Sequence, residues 1–405
     1  MSEGLNPPGS KKKGFTKLEI EFIQKHLNDD TSSLILKSNS YKDVDVKKLA
    51  NQILARQKAQ KKLPEWSAIP GLMFPALVSV EQSSSEATAK YKAGLVSGKR
   101  LIDVTGGMGV DCYYMSRHFE KADYFEQQTE VAETAAFNFE QLSAKNIQVH
   151  SKNSIDSLKN TTLTGDWLYA DPARRGSNKE KVVLLADCTP DILANLDLLL
   201  LNAPNVLLKT SPLLDIDLAV TQLKYVSEVH IVGYEQECKE LLFILNKSSK
   251  SDQVLLKSVI LNVSGLIVQA LTFTRQQETE VIQSFSKPLS FLYEPHPAIL
   301  KAGAFKVISQ EFDLLKLAPN SHLYTSSNRV MNFPGRSFEV IAVCKPDIKE
   351  ISKYIDGDKA NLTTRNFPAK IQDLRKKWRL KDGGDFYLFA TTLEDKTKVV
   401  VVTRK

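Results

Sequence analysis

Apolar positions change their period along this chain, and the changes divide it. Between Phe15 and Lys62 they recur at threes and fours, through Leu18, Phe22 and Ile23 and again at Leu49, Ile53 and Leu54, which predicts a small all-α region. Residues 63–77 carry Pro64, Pro70, Gly71 and Pro75 and read as a loop passing over other structure. A helix follows over 83–95, with Ser83 or Ser84 as its cap and Glu86 in its first turn.

From residue 101 short apolar runs alternate with amphipathic stretches. The runs predict strands over 101–104, 124–125, 147–150, 167–170, 206–209 and 229–232, and the stretches predict helices over 110–119, 131–142, 191–201 and 215–225. Such alternation implies an α/β fold, a Rossmann-like doubly wound sheet. After Tyr234 the pattern is strands alone, over 241–245, 255–263 and 267–273, as expected where an antiparallel edge closes the sheet. Beyond Pro288 the pattern changes again, giving strand 338–344, helix 347–355, a strand near Leu362, helix 370–379 and strands 386–390 and 399–402, a compact α+β module. The chain thus divides into a tail over 1–14, a helical region over 15–95, a doubly wound domain over 96–285, a small segment over 286–330 and a terminal module over 331–405.

Composition adds little until charge is mapped. At 405 residues, 42% hydrophobic and 25% charged, the chain is an ordinary globular protein of more than one domain. Residues 1–14 contain no apolar stretch of the kind a secretory signal needs, and the longest apolar run, near 193–208, is broken by Asn195, Asp197, Asn202 and Pro204. Four scattered cysteines without a C-x-x-C pair suggest neither a zinc site nor a disulfide framework, and so a reducing, cytoplasmic location. The net charge of +7 is uneven: residues 1–70 hold 13 Lys and Arg against 8 Asp and Glu, residues 361–405 hold 11 against 5, and the stretch between carries −4. Two basic ends suit a polyanion held by flanking domains, although solvated surface charge gives the same pattern.

The chemistry concentrates in 101–111, Leu-Ile-Asp-Val-Thr-Gly-Gly-Met-Gly-Val-Asp. A buried strand runs into a glycine-rich turn and then a helix, which exposes backbone N–H groups where doubly wound sheets bind nucleotides. The dinucleotide pattern G-x-G-x-x-G fails, because Cys112 stands where its third glycine would be. Asp103 at the strand end suits a cationic ligand, and S-adenosylmethionine carries an ammonium and a sulfonium. Glu126, 23 positions on, is placed to accept both ribose hydroxyls; Asn153 and Ser154 follow the third strand, as adenine contacts or as a helix cap. The fourth strand ends in Tyr169-Ala170-Asp171-Pro172-Ala173-Arg174-Arg175, where Pro172 holds Asp171 extended, with its carboxylate toward the crevice to orient an amine. Arg174, Arg175 and Lys209 gather at strand ends, as phosphate contacts or as surface ion pairs. Lys370, Arg375, Lys376, Lys377 and Arg379 make a basic helix around Trp378, either an RNA face or a solvated helix with Trp378 in the core.

Asp103, Thr105, Gly106, Gly107, Gly109, Asp111, Glu126 and Asp171-Pro172-Ala173-Arg174 resemble motifs I, II and IV of class I S-adenosylmethionine-dependent methyltransferases, motif I being similar to that of ribosomal RNA guanine-N2 methyltransferases. Further segments, including Arg56-Gln57-Lys58-Ala59, Glu81-Gln82-Ser83-Ser84, Ser211-Pro212-Leu213-Leu214-Asp215, Glu237-Cys238-Lys239-Glu240 and Phe333-Pro334-Gly335-Arg336-Ser337, are similar to a bacterial family that joins such a domain to a ferredoxin-like segment and a THUMP-like domain. The resemblance covers most of residues 45–405 and implies S-adenosylmethionine as cofactor, Asp171 and Pro172 as catalytic residues, and an RNA partner, rRNA or tRNA, since THUMP domains bind RNA.

One departure is informative. Amino-methylating families follow D-P-P with an aromatic that stacks on the base, and here Ala173 and Arg174 stand there, so that either Tyr169 or Tyr234 stacks or the target is not a standard exocyclic amine. No cysteine follows the fifth strand, which disfavours thiolate-dependent pyrimidine methylation, and Cys188 lies only in the preceding linker. The expected activity is methylation of an exocyclic or ring nitrogen in structured RNA. The alternatives are a methyltransferase of small molecules or proteins, and an inactive RNA-binding protein on the same fold.

Overall fold

The computed structural model describes residues 14–74, 77–174, 184–249 and 253–405. Helices α1 (Lys17–Lys25), α2 (Thr31–Leu36) and α3 (Val46–Lys62) open the chain. Thr16, Asp30 and Asp45 cap them, and Phe22, Ile23, Leu34, Leu49 and Ile53 form their own small core. Three shorter helices follow: α4 (Pro64–Ser67), α5 (Leu77–Gln82) and α6 (Glu86–Ala93).

Two expectations shift here. The loop over 63–77 contains the single turn of α4, started by Pro64 in its first turn, where a missing N–H costs nothing. The helix expected from residue 83 starts at Glu86, because Ser85 caps it by accepting from Thr88 N at 3.2 Å while Ser84 turns inward. The rest of that loop is fastened from both sides. Arg56, 2% exposed, donates to the carbonyls of Ser67, Ile69, Pro70 and Leu72, and burial pushes its pKa down to about 10. Gln52 pairs with both backbone groups of Phe74, and Asn138 with both of Met73.

The central unit runs β1 (Gly98–Asp103), α7 (Val110–Ser116), β2 (Phe119–Glu126), α8 (Thr129–Gln141), β3 (Ile147–Ser151), α9 (Ser154–Lys159) and β4 (Trp167–Ala170). A small hairpin, β5 (Ala173–Arg174) with β6 (Cys188–Thr189), precedes α10 (Ile192–Asn202), β7 (Asn205–Thr210) and α11 (Ile216–Gln222). Then come β8 (Val226–Tyr234), β9 (Glu237–Asn246), β10 (Leu255–Leu261) and β11 (Ile267–Phe273). Nine strands form one sheet in the order β11-β10-β8-β9-β7-β4-β1-β2-β3, with β3, β2, β1, β4 and β7 parallel. Antiparallel β9 lies inside the sheet, between β7 and β8, rather than at the expected edge. A tight connection with Glu235 at φ +56° folds β9 straight back along β8, and the edge falls to β10 and β11. A large core covers each face of the sheet.

The remainder comprises α12 (Arg275–Glu280), β12 (Phe291–Pro295), α13 (Pro297–Ala302), α14 (Val307–Glu311), β13 (Leu315–Lys316) and β14 (Tyr324–Ser326). It continues with β15 (Gly335–Cys344), α15 (Ile348–Ile351), β16 (Asn361–Arg365), α16 (Ile371–Trp378), β17 (Phe386–Thr392) and β18 (Lys398–Arg404). A second sheet, β13-β14-β12-β15-β18-β17-β16, joins strands from both sides of residue 331. The helix expected over 347–355 is one turn, 348–351. Trp378 is 2% exposed within the core beneath α16, so it belongs to the packing and not to the surface, while Lys376 and Lys377 are exposed. Helix α13 inserts Ala298, Ile299 and Ala302 into a core of the first sheet, which ties the two sheets together. Among the described residues, no helix is long and apolar enough to cross a membrane.

Candidate active site

The glycine turn is shaped by what packs under it. Gly106 N donates to Phe125 O at 2.8 Å, drawing the turn so close to β2 that a Cβ on Gly106 would lie 2.2 Å from the Tyr124 ring. Gly109 has φ +85°, and a Cβ there would lie 2.6 Å from the Phe139 ring. Gly107, at φ +54°, turns its N–H to Glu126 Oε2, 3.0 Å away. The three glycines therefore answer to two close approaches and to left-handed backbone at Gly107 and Gly109.

A cleft of about 930 Å³ opens at the carboxyl ends of the parallel strands. Thr105, the three glycines and Asp111 line it beside Glu126, Asn153 and Ser154 at one end and Asp171, Pro172 and Lys209 at the other. Residues separated by more than a hundred positions in sequence, Thr105 and Lys209 among them, thus share one wall. Glu126 Oε1 also accepts from Gln128 N at 2.7 Å, so both carboxylate oxygens are aimed by backbone donors. Asn153 is the cap of α9, accepting from Asp156 N at 3.1 Å, and it lines the cleft as well.

Asp103 differs from expectation. It is 1% exposed, lies beneath the turn and is not on the cleft wall; it accepts from Thr105 N at 3.0 Å and braces the turn. Burial, together with Asp111, Asp171 and Glu126 nearby, holds its pKa well above the usual carboxylate range. Arg174 lies in β5, paired with Cys188; Arg175 falls outside the described residues.

Lys209 also changes role. Its Nζ donates to Asp171 Oδ2 at 2.6 Å, so of the two readings, phosphate contact or surface ion pair, the structure shows an ion pair, set inside the cleft rather than on the open surface. Burial alone would lower its pKa, but Asp171, Glu240 and Asp111 more than offset that and keep it charged. Asp171 N donates to Thr105 Oγ1 at 2.6 Å, which ties β4 to the glycine turn.

Sequence reasoning missed the group behind this pair. Lys92 of α6, 0% exposed, lies 2.9 Å from Glu240, 3.1 Å from Asp111 and 2.8 Å from Ser84 Oγ. Asp111 Oδ2 accepts from Ser84 and from Tyr169 OH, each at 2.7 Å. Burial raises the Asp111 pKa, but Lys92, Lys209 and the two hydroxyls reverse the shift, leaving it below the ordinary value. Ser84 and Glu240 lie in segments that carried the family resemblance; nothing in the local pattern marked Lys92. Tyr169, 1% exposed and held by Asp111, is not free to stack on a substrate, and Tyr234 is not part of the cleft wall.

Residues 291–334 match a ferredoxin-like domain and residues 335–405 a THUMP-like domain. No protein of curated function matches the chain. Among solved structures, a Porphyromonas gingivalis W83 protein whose methyltransferase assignment is provisional is 30% identical, with TM-score 0.85 over 96% of this chain and 99% of that one. An rRNA methylase of Streptococcus thermophilus (11% identity, TM-score 0.29, 40% of this chain and 95% of that one) is far more distant. So is a provisionally assigned Streptococcus mutans methyltransferase in complex with SAH (15%, TM-score 0.30, 40% and 96%), and neither bears on the reading. The full-length match, the class I strand order around the glycine turn and the two terminal domains place the chain in the bacterial family of class I methyltransferases that end in a ferredoxin-like segment and a THUMP-like domain.

Proposed function

We propose that the protein acts in the cytoplasm and transfers a methyl group from S-adenosylmethionine to a nitrogen of a base in structured RNA, rRNA or tRNA. The observation that carries the proposal is the single cleft in which the glycine turn, Glu126 and Asp171 meet. Thr105, Gly106, Gly107, Gly109 and Asp111 would hold the methionine end, Glu126 the ribose hydroxyls, and Asn153 and Ser154 the adenine, with Asp103 bracing the turn from below. When bound, the cofactor supplies an electrophilic methyl group on a sulfonium.

The chain's own work is positioning. Asp171, anchored through its N–H to Thr105 and through Oδ2 to Lys209, keeps Oδ1 for a hydrogen bond from the acceptor amine, which turns the nitrogen lone pair toward the cofactor. Pro172 holds that carboxylate at the cleft wall. Arg174 and Arg175 follow directly in the sequence and would meet RNA phosphates, and the exposed lysines Lys376 and Lys377 of α16 would extend that basic surface. The RNA reading draws on the THUMP-like match and on the two basic ends.

The test uses total RNA from a strain lacking the gene, incubated with the protein and methyl-labelled S-adenosylmethionine, followed by mass spectrometry of the nucleosides. Asp171→Asn should cut labelling about 100-fold or more while calorimetry shows cofactor affinity unchanged. Absence of binding heat with S-adenosylmethionine would favour an inactive RNA-binding protein, and label appearing in protein or small molecules but not RNA would favour a different acceptor.

A further inference from the structure

The sheet order lays the cleft out from end to end. Asn153 and Glu126 stand above β3 and β2, the glycine turn above β1, Asp171 above β4, Lys209 and the residues after it above β7, and Glu240 on β9. The half beyond Asp171 is where an acceptor must lie. That half has no aromatic platform. Among the described residues the only aromatic side chains lining the cleft are Phe125, at the far end, and Tyr169, which is buried; residues 175–183 contain no aromatic.

What this half does present is Leu213, 66% exposed, on the rim four residues after Lys209. A lone exposed leucine on an ordinary surface needs no explanation, but this one is held in place over the cleft. Its N–H donates to Ser211 Oγ at 3.2 Å, and Leu214 N donates to Ser211 O at 3.1 Å. Leu214 is 1% exposed and anchors the segment in the core, and Asp215 caps α11 by accepting from Leu218 N at 2.9 Å. Leu213 lines the same cleft as the hydrogen-bonding Asp171–Lys209 pair, and an apolar face together with a hydrogen-bonding edge is what a planar heterocycle requires. Pro172 supplies a second aliphatic surface on the wall beside Asp171.

We propose that Leu213 and Pro172 grip the faces of a planar heterocyclic acceptor whose edge is read by the Asp171–Lys209 pair, the aliphatic contacts replacing the aromatic that follows D-P-P in other amino-methylating enzymes. Asp171 accepts one N–H, and Lys209, with three donors of which Asp171 takes one, donates to an adjacent ring nitrogen or carbonyl. The acceptor class is therefore a nucleobase with donor and acceptor side by side on one edge, and alkyl amines and carboxylates are excluded. The inference rests on the methyltransferase reading above and names the groups that hold its acceptor.

The experiment compares wild type, Leu213→Ala and Leu213→Phe in the total-RNA labelling assay, with calorimetry for S-adenosylmethionine and thermal unfolding run alongside. Leu213→Ala should lower kcat/KM for RNA by about tenfold, mainly through KM, with cofactor affinity and Tm unchanged, and Leu213→Phe should restore it. RNA labelling by Leu213→Ala at the wild-type rate would overturn the clamp and leave the methyltransferase reading standing. A loss that Leu213→Phe fails to restore would also overturn it. No RNA labelling by the wild type would remove the RNA reading, and the clamp with it.

Discussion

At Gly109 two physical demands coincide, a costly backbone conformation and a steric block on any side chain. A left-handed φ of +85° costs an L-residue about 1 kcal/mol, and the Phe139 ring occupies the space of a Cβ at 2.6 Å. Gly109→Ala must push the turn out of line, so S-adenosylmethionine affinity measured by calorimetry should fall by about tenfold or more and Tm should drop by several degrees. The glycines were legible in sequence because strand, turn and helix are adjacent in the chain. Asp103 was not, since its neighbour along the chain is the turn but its environment is the protein interior, where a buried carboxyl group is satisfied by the backbone N–H of Thr105. Lys209 shows the same limit. A lysine at a strand end reads equally as a phosphate contact or as an ion pair until a partner carboxylate, 38 residues away, is known to lie 2.6 Å from it.

Elements were easier than residues. Strand β4 occupies the predicted residues 167–170, and β7 and β11 match to within a residue, because short apolar runs between turn residues have few other ways to be buried. Helix α6 was misplaced by three residues because three successive serines offer equivalent caps, and tertiary contacts decide among them: Ser83 donates to Val80 O and Ser84 is drawn to Lys92 and Asp111, leaving Ser85 to cap. The proline-rich strap ahead of α5 has no period at all; Arg56 gives it shape through four carbonyls. Arg56→Met should leave those carbonyls without their donor and destabilise the protein by about 2–4 kcal/mol. Hydrogen–deuterium exchange over 63–74 should accelerate while the amides of β1 and β4 stay protected, and unchanged exchange in the strap would show that the guanidinium is dispensable.

On the scale of the whole molecule, helix α13 fastens the C-terminal sheet to the first. Gly233 marks the joint: a Cβ there would lie 2.5 Å from the His296 ring, whose Nε2 meets Glu235 O at 3.0 Å. Lys376→Glu with Lys377→Glu should weaken binding of total RNA and flatten its log–log salt dependence by about 0.7–0.9 for each phosphate that these lysines neutralise, leaving S-adenosylmethionine affinity untouched. An unchanged salt slope would move the RNA face elsewhere.

By itself the sequence determined the alternation of strands and helices, the glycine turn, and the carboxylates that close β2 and β4, since each depends on the order of neighbours along the chain. The position of β9 inside the sheet, the Asp171–Lys209 pair and the burial of Lys92 among carboxylates from two other elements were decided only by tertiary structure. Electrostatic attraction and desolvation act through space, over a few ångströms between residues as many as 148 positions apart. No local pattern records which charges will meet.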